Sequence, residues 1–125
     1  MKRDIKFRAY IKDEGRLLNV NLIDFDDEYV RVWDEYGEDE EEWLFKDCEL
    51  MRYTGMDDVN GKPIYEGDIV KAYRTCKSDL ITFANGSFGI APDYWHSFES
   101  FTNFYGKCEV IGNKFQNPEL LEVSE

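Results

Sequence analysis

Thr54-Gly55-Met56-Asp57-Asp58-Val59-Asn60-Gly61-Lys62-Pro63-Ile64-Tyr65-Glu66-Gly67-Asp68-Ile69-Val70 punctuates this 125-residue chain more strongly than any other stretch. Its three glycines fall six apart, each beside a turn former or a strand start, as backbone bends require. Asn60-Gly61 is a strong turn dipeptide, and Asp57, Asp58 and Asn60 can bond their own backbone in Asx-type turns. Pro63 argues against a helix running through it. Glu66-Gly67-Asp68-Ile69-Val70 then reads as a tight turn feeding an apolar strand. Small SH3-like barrels often begin a strand this way, because glycine lets the chain turn sharply at the rim. Turn chemistry alone accounts for these residue types.

The flanks read as strands. Ile5, Phe7 and Ala9 alternate with Lys6, Arg8 and Tyr10, a period-two pattern with one buried face. Lys12-Asp13-Glu14-Gly15 is a turn with Gly15 suited to a positive φ, and Leu18, Val20 and Leu22 carry the return strand. Tyr29-Val30-Arg31-Val32-Trp33 is rich in β-branched and aromatic residues. Glu49 to Tyr53 leads as a strand into the punctuated segment. Beyond it, Asp79 to Ala84, Asn85-Gly86 and Ser87 to Ala91 form the clearest hairpin signal in the chain. Phe98, Phe101 and Tyr105 fall at helical spacing within Ser97 to Tyr105, Cys108 to Gly112 is the last strand, and Asn117-Pro118 starts a short helix with Asn117 as N-cap. The expected fold is mainly β, an α+β chain at most. Antiparallel strands form an SH3-like small barrel from about Met51 onward, with an N-terminal β-hairpin region and one or two short helices. The chain reads as one domain over 1–125, with an N-terminal β sub-region 1–50 packed on a barrel-like sub-region 51–125.

Twenty-seven acidic residues against 15 basic give a net charge of −12. That balance argues against a general grip on nucleic-acid phosphates, which needs a basic face. It is also uneven, since Asp24 to Glu49 holds 13 of the 27 acids with Arg31 and Lys46 as its basic residues. With 42% hydrophobic and 16% aromatic residues, the chain is no disordered polyacid. Leu80 to Tyr94, its longest nearly uncharged stretch, is broken by Asn85, Gly86, Gly89 and Pro92, so no membrane span is expected. Met1-Lys2-Arg3-Asp4 enters a strand pattern directly, so no signal peptide is expected, and the setting is read as cytoplasmic. Cys48, Cys76 and Cys108 are odd in number and widely separated, which suits a reducing compartment and structural thiols.

Three blocks resemble the YopX family. They are Lys2 to Tyr10, Met51 to Val70, and Glu109-Val110-Ile111-Gly112-Asn113-Lys114-Phe115-Gln116-Asn117-Pro118-Glu119-Leu120-Leu121. Arg52 stands where glutamine is common in that family, and Pro63 where a polar residue is common. Together the blocks span the chain in order. The resemblance implies a small protein encoded mainly by bacteriophages and prophages, working in the host bacterial cytoplasm. It brings no catalytic residues.

No catalytic, cofactor or metal residues are expected, and the chain is read as non-enzymatic. His96 is the lone histidine, and no local partner pairs it with a cysteine. Glu38-Asp39-Glu40-Glu41-Glu42 cannot be buried together, so the run is placed on a loop or a solvated edge. It lacks the offsets of a calcium loop. Its sharper reading is an acidic surface for a basic protein of host or phage origin, including one that normally meets DNA. The alternative reading is a single-stranded nucleic-acid face built from Lys6, Arg8 and Trp95, with exposed aromatics as a stacking platform. Self-association through strand edges is a third possibility.

Overall fold

Lys12-Asp13-Glu14-Gly15 folds the first alternating segment back on itself. β1 (Phe7–Ile11) pairs antiparallel with β2 (Arg16–Asp24), with Ile11 opposite Arg16 and Arg8 opposite Asn19. Gly15 takes the positive φ of 65° that lets its N–H close the turn on the Ile11 carbonyl. The computed structural model describes residues 6–72, 78–84, 87–90, 99–100 and 108–121. Its chain divides into two units, Met1–Tyr53 and Thr54–Glu125.

In the first unit, β2 turns at Phe25 to Glu28 into β3 (Tyr29–Trp33), and β3 turns into β4 (Glu40–Leu44). A 3-10 turn over Phe45–Asp47 leads into β5 (Cys48–Asp57), which returns to the free side of β1 with Ile11 opposite Cys48. The strand order is β4-β3-β2-β1-β5. Ala9, Ile11, Leu18, Val30, Val32 and Cys48 make the core on one face of this sheet. Each buried valine, leucine or isoleucine side chain there contributes about 1.5–3 kcal/mol of transfer free energy. On the other face of β1 and β5, Arg8 sits opposite Met51, and these are 8% and 1% exposed. β1 is therefore covered on both faces at its middle, where alternation alone suggests one.

In the second unit the punctuated segment does its turning. β6 (Pro63–Tyr65) neighbours the far half of β5, where Thr54 Oγ1 donates to the Ile64 carbonyl at 2.8 Å. Glu66 and Gly67 turn the chain into β7 (Asp68–Ala72). Gly67 has φ 92°, a region that L side chains rarely adopt, and Gly55 and Gly61 are likewise positive at 88° and 80°. The buried Asp68 carboxylate accepts the Tyr65 N–H at 2.8 Å, closing the turn from inside. The Gly67 N–H donates to the Ile81 carbonyl, and its own carbonyl accepts the Lys114 N–H, both at 2.9 Å. That stitches the turn to two other segments.

β8 (Ser78–Ala84) and β9 (Ser87–Ile90) form the expected hairpin, with Ala84 opposite Ser87. β11 (Cys108–Asn113) pairs with β7, and the sheet order is β10-β9-β8-β7-β11, where β10 is Glu99–Ser100. Ile64, Val70, Ile81 and Cys108 form its core, flanked by Met56, Phe88 and Val110.

Two expectations change. The sheet is open, with β10 and β11 as its two ends, so no closed SH3-like barrel forms among the described residues. Glu99 and Ser100 extend the sheet opposite Ile90 and Gly89, where helical spacing predicts a helix. The rest of that segment lies outside the described residues. A short 3-10 helix forms at Pro118–Leu121, directly after Asn117. Asn117 Oδ1 accepts the Asn113 N–H at 3.2 Å, closing the loop after β11. Among the described residues no helix is long and apolar enough to cross a membrane.

Candidate functional site

Strand alternation dismantles the acidic run. Glu38 and Asp39 lie in the β3–β4 turn, whereas Glu40, Glu41 and Glu42 lie in β4, the edge strand of the first unit. Asp34 builds the turn. Its Oδ1 accepts the N–H groups of Glu38 and Tyr36 at 3.0 Å each, and its own N–H donates to the Asp39 carbonyl at 2.8 Å. Those backbone donors, Glu38 foremost, hold its carboxyl below the usual carboxylate range.

Glu41 turns to the core side, where Arg16 holds it. Arg16 forks onto Glu35 through Nε at 2.6 Å and NH2 at 2.9 Å, and onto Glu41 at 2.7 and 2.9 Å. NH1 also reaches Glu14 at 2.6 Å. A guanidinium has five N–H donors, and these five bonds use that number. Trp43 Nε1 adds a bond to Glu41 at 3.1 Å. The Arg16 guanidinium pulls the Glu35 carboxyl down to about 2 and the Glu41 carboxyl below its ordinary value. The hydrogen bonds Arg16 donates to Glu35, Glu41 and Glu14 raise it above its already high value.

The outward face carries the remaining charge. Trp33 lies opposite Glu40 and Arg31 opposite Glu42. Glu42 pairs with Arg31 at 3.0 Å, and Glu40 accepts a hydrogen bond from Asn21 Nδ2 at 2.9 Å. Glu38 and Asp39 are exposed and make no ion pair among the described residues. Large side chains stand exposed among these acids. Tyr36 is 82% exposed in the β3–β4 turn, and Phe25 is 75% exposed between Asp24 and Asp26. Phe25 leans edge-on against Phe45 at 5.9 Å. The site is an acidic sheet edge with aromatic side chains in its adjoining turns. Its chemistry suits a partner that is basic and partly apolar.

Of the alternative face, Lys6 is exposed, with Nζ 5.0 Å above the Tyr53 ring. Arg8 is buried and does not face solvent with it. Trp95 lies outside the described residues, as do His96 and Cys76. Cys48 and Cys108 are buried. Burial first, and then the Asp58 charge, push the Cys108 thiol up to about 11, so it holds its proton at neutral pH.

Two features escape sequence reading. Arg16 collects carboxylates 2, 19 and 25 residues away, and its one signal is that no other basic residue lies between Lys12 and Arg31. Asp58 reaches further still. Its Oδ1 accepts the N–H groups of Asn60 at 2.8 Å and Lys62 at 2.9 Å, the expected Asx turn. Its Oδ2 accepts the Val110 N–H at 2.9 Å, 52 residues away in β11. Burial pushes this carboxyl up, but the three backbone donors outweigh it and hold it below its ordinary value.

The architecture defines a mainly-β protein of antiparallel sheets, and solved structures share it. It is similar to protein EF1440 from Enterococcus faecalis, with 28% identity and a TM-score of 0.65 over 97% of this chain and 100% of that one. It is also similar in fold to protein yopX from Bacillus subtilis, with 17% identity and a TM-score of 0.63 over 96% and 98%. No curated protein matches the sequence. The YopX protein family matches residues 6–122. The chain belongs to the YopX family.

Proposed function

We propose that this YopX-family protein is a non-enzymatic phage or prophage accessory protein that works by binding another protein through the acidic edge of its first unit. The observation that carries the reading is the sorting of charge along β4. Arg16 ties down Glu41 on the core side, while Glu38, Asp39, Glu40 and Glu42 stand exposed beside Trp33 and Tyr36. Of these, Glu42 shares its charge with Arg31 and Glu40 is held by Asn21, and Glu38 and Asp39 make no ion pair among the described residues. The partner on this reading is a basic protein surface in the bacterial cytoplasm, of the kind that otherwise meets DNA. Aromatic side chains set among charges supply the buried centre that such contacts need.

The test is comparative capture from a host extract with the unaltered protein and a variant carrying Glu38→Gln, Asp39→Asn, Glu40→Gln and Glu42→Gln, followed by titration with each purified candidate. Loss of at least tenfold in affinity supports the reading. Equal affinity for both proteins overturns it. Single-stranded nucleic acid is the weaker alternative, because burial of Arg8 takes a cation from the expected stripe. Absence of salt-sensitive binding to an oligonucleotide at low ionic strength is the expected result.

A further inference from the structure

The open side of β4 has a defined hydrogen-bonding pattern. The Phe45 N–H donates to the Glu28 carbonyl at 2.9 Å and the Asp34 N–H to the Asp39 carbonyl at 2.8 Å. Both lie in register with the ladder that sets Val30 opposite Trp43 and Val32 opposite Glu41. Bonded pairs recur at every second residue of an antiparallel ladder, so Trp43 and Glu41 aim their backbone groups at β3. Glu40, Glu42 and Leu44 aim theirs away from it. No described strand pairs with that side of β4. Cys48 Sγ approaches the Leu44 carbonyl at 3.5 Å, so the open stretch centres on Glu40 and Glu42.

The same residues that present free backbone groups also present carboxylates on the outer face. We infer that β4 accepts an extended segment of a partner protein as an added strand, one with lysine or arginine at alternate positions. This inference rests on the acidic edge being a protein-binding surface, and it specifies the partner's conformation and pattern. A residue placed directly opposite Glu42 puts its side chain on the face of Glu42 and its backbone N–H toward β4. Basic side chains at those positions meet Glu40 and Glu42, and the intervening side chains fall on the Glu41 and Trp43 side. Main-chain bonds supply the affinity and the alternating charge supplies the register. A second copy of this chain fits poorly. Antiparallel pairing about Glu42 sets Glu42 against itself, and like charges directly opposite are destabilising. Acidic side chains on an edge are a known guard against such self-pairing.

The probe is a blocked heptapeptide of alternating lysine and valine, titrated calorimetrically at low salt, with backbone amide exchange of the protein followed by NMR. Binding with slowed exchange of the Glu42 N–H is expected. Methylating the lysine backbone nitrogens removes the donors that face β4 and keeps every charge, and it is expected to weaken binding at least tenfold. Glu42→Pro removes a donor on the open side without touching the β3 ladder, and it is expected to weaken binding more than Glu42→Gln does. Equal binding of the methylated peptide overturns strand addition while leaving the acidic surface as a charge-driven site. No binding of the plain peptide, with partner capture still lost on neutralising Glu38, Asp39, Glu40 and Glu42, also overturns this inference alone. No peptide binding together with unchanged capture overturns both readings.

Discussion

Replacing Asp58 with asparagine separates the local turn from its long-range tie. Asp58 is 6% exposed, and its carboxylate serves three backbone donors, Asn60 and Lys62 on Oδ1 and Val110 on Oδ2. In Asp58→Asn the best placement of the amide keeps its oxygen on Asn60 and Lys62. Its NH2 then faces the Val110 N–H, donor against donor. A hydrogen bond to a charged group is worth about 1.5–3 kcal/mol, so losing this one costs about 2 kcal/mol. For a chain of this size that corresponds to roughly 6–12 °C in Tm. Asp58→Ala removes both acceptor oxygens and all three hydrogen bonds and costs more, about 4 kcal/mol, water replacing part of what is lost. The pH dependence carries a second signature. Asp58 has a folded pKa below its unfolded value of about 3.9, so its contribution is complete above that value and is lost as pH falls through the folded pKa. The gap between the unaltered protein and Asp58→Asn therefore narrows on acidification below about pH 4. Urea denaturation followed by far-UV circular dichroism at pH 7 and pH 3 measures both. A variant within about 0.5 kcal/mol of the unaltered protein at pH 7 refutes the tie between this turn and β11.

Three further outcomes follow from the same geometry. Arg16→Met leaves Glu14, Glu35 and Glu41 facing one another without their shared cation, so its urea midpoint falls, most at low salt, and the deficit shrinks near 1 M salt as screening shortens to about 3 Å. Gly112→Ala places a Cβ 2.6 Å from Asn117 Oδ1, expelling the acceptor of the Asn113 N–H at a cost of about 1 kcal/mol. In an Asn117→Gly background the same substitution is nearly silent, which a double-mutant cycle reads directly.

Local chemistry was legible and distant coincidence was not. Tyr29–Trp33 emerges with the boundaries that its composition predicts, and the β8–β9 hairpin follows from Asn85-Gly86. Gly67 and Asp58 turn the chain where the sequence places turns, because φ and Asx geometry are properties of a few neighbouring residues. Glu40 to Glu42 show where composition misleads. Acids are poor strand formers, yet an edge strand exposes one face and one side to water, and Arg16 covers the remaining carboxylate. Arg8 fails for the opposite reason: period two assigns it to solvent, but both faces of β1 are covered at that position. The barrel expectation drew on the Glu66 to Val70 step alone, and one turn does not determine whether a sheet closes. Of the candidate site, the charge was legible from composition, and its sorting between the Arg16 side and the outer side of β4 required the register of β3 against β4.

The most direct measurement is titration of a purified partner against the unaltered protein and against the variant neutralised at Glu38, Asp39, Glu40 and Glu42, at two salt concentrations. An acidic β4 edge that binds a basic surface predicts at least a tenfold loss in the variant and a salt dependence that falls with it. Equal affinity and equal salt dependence in both proteins would contradict it.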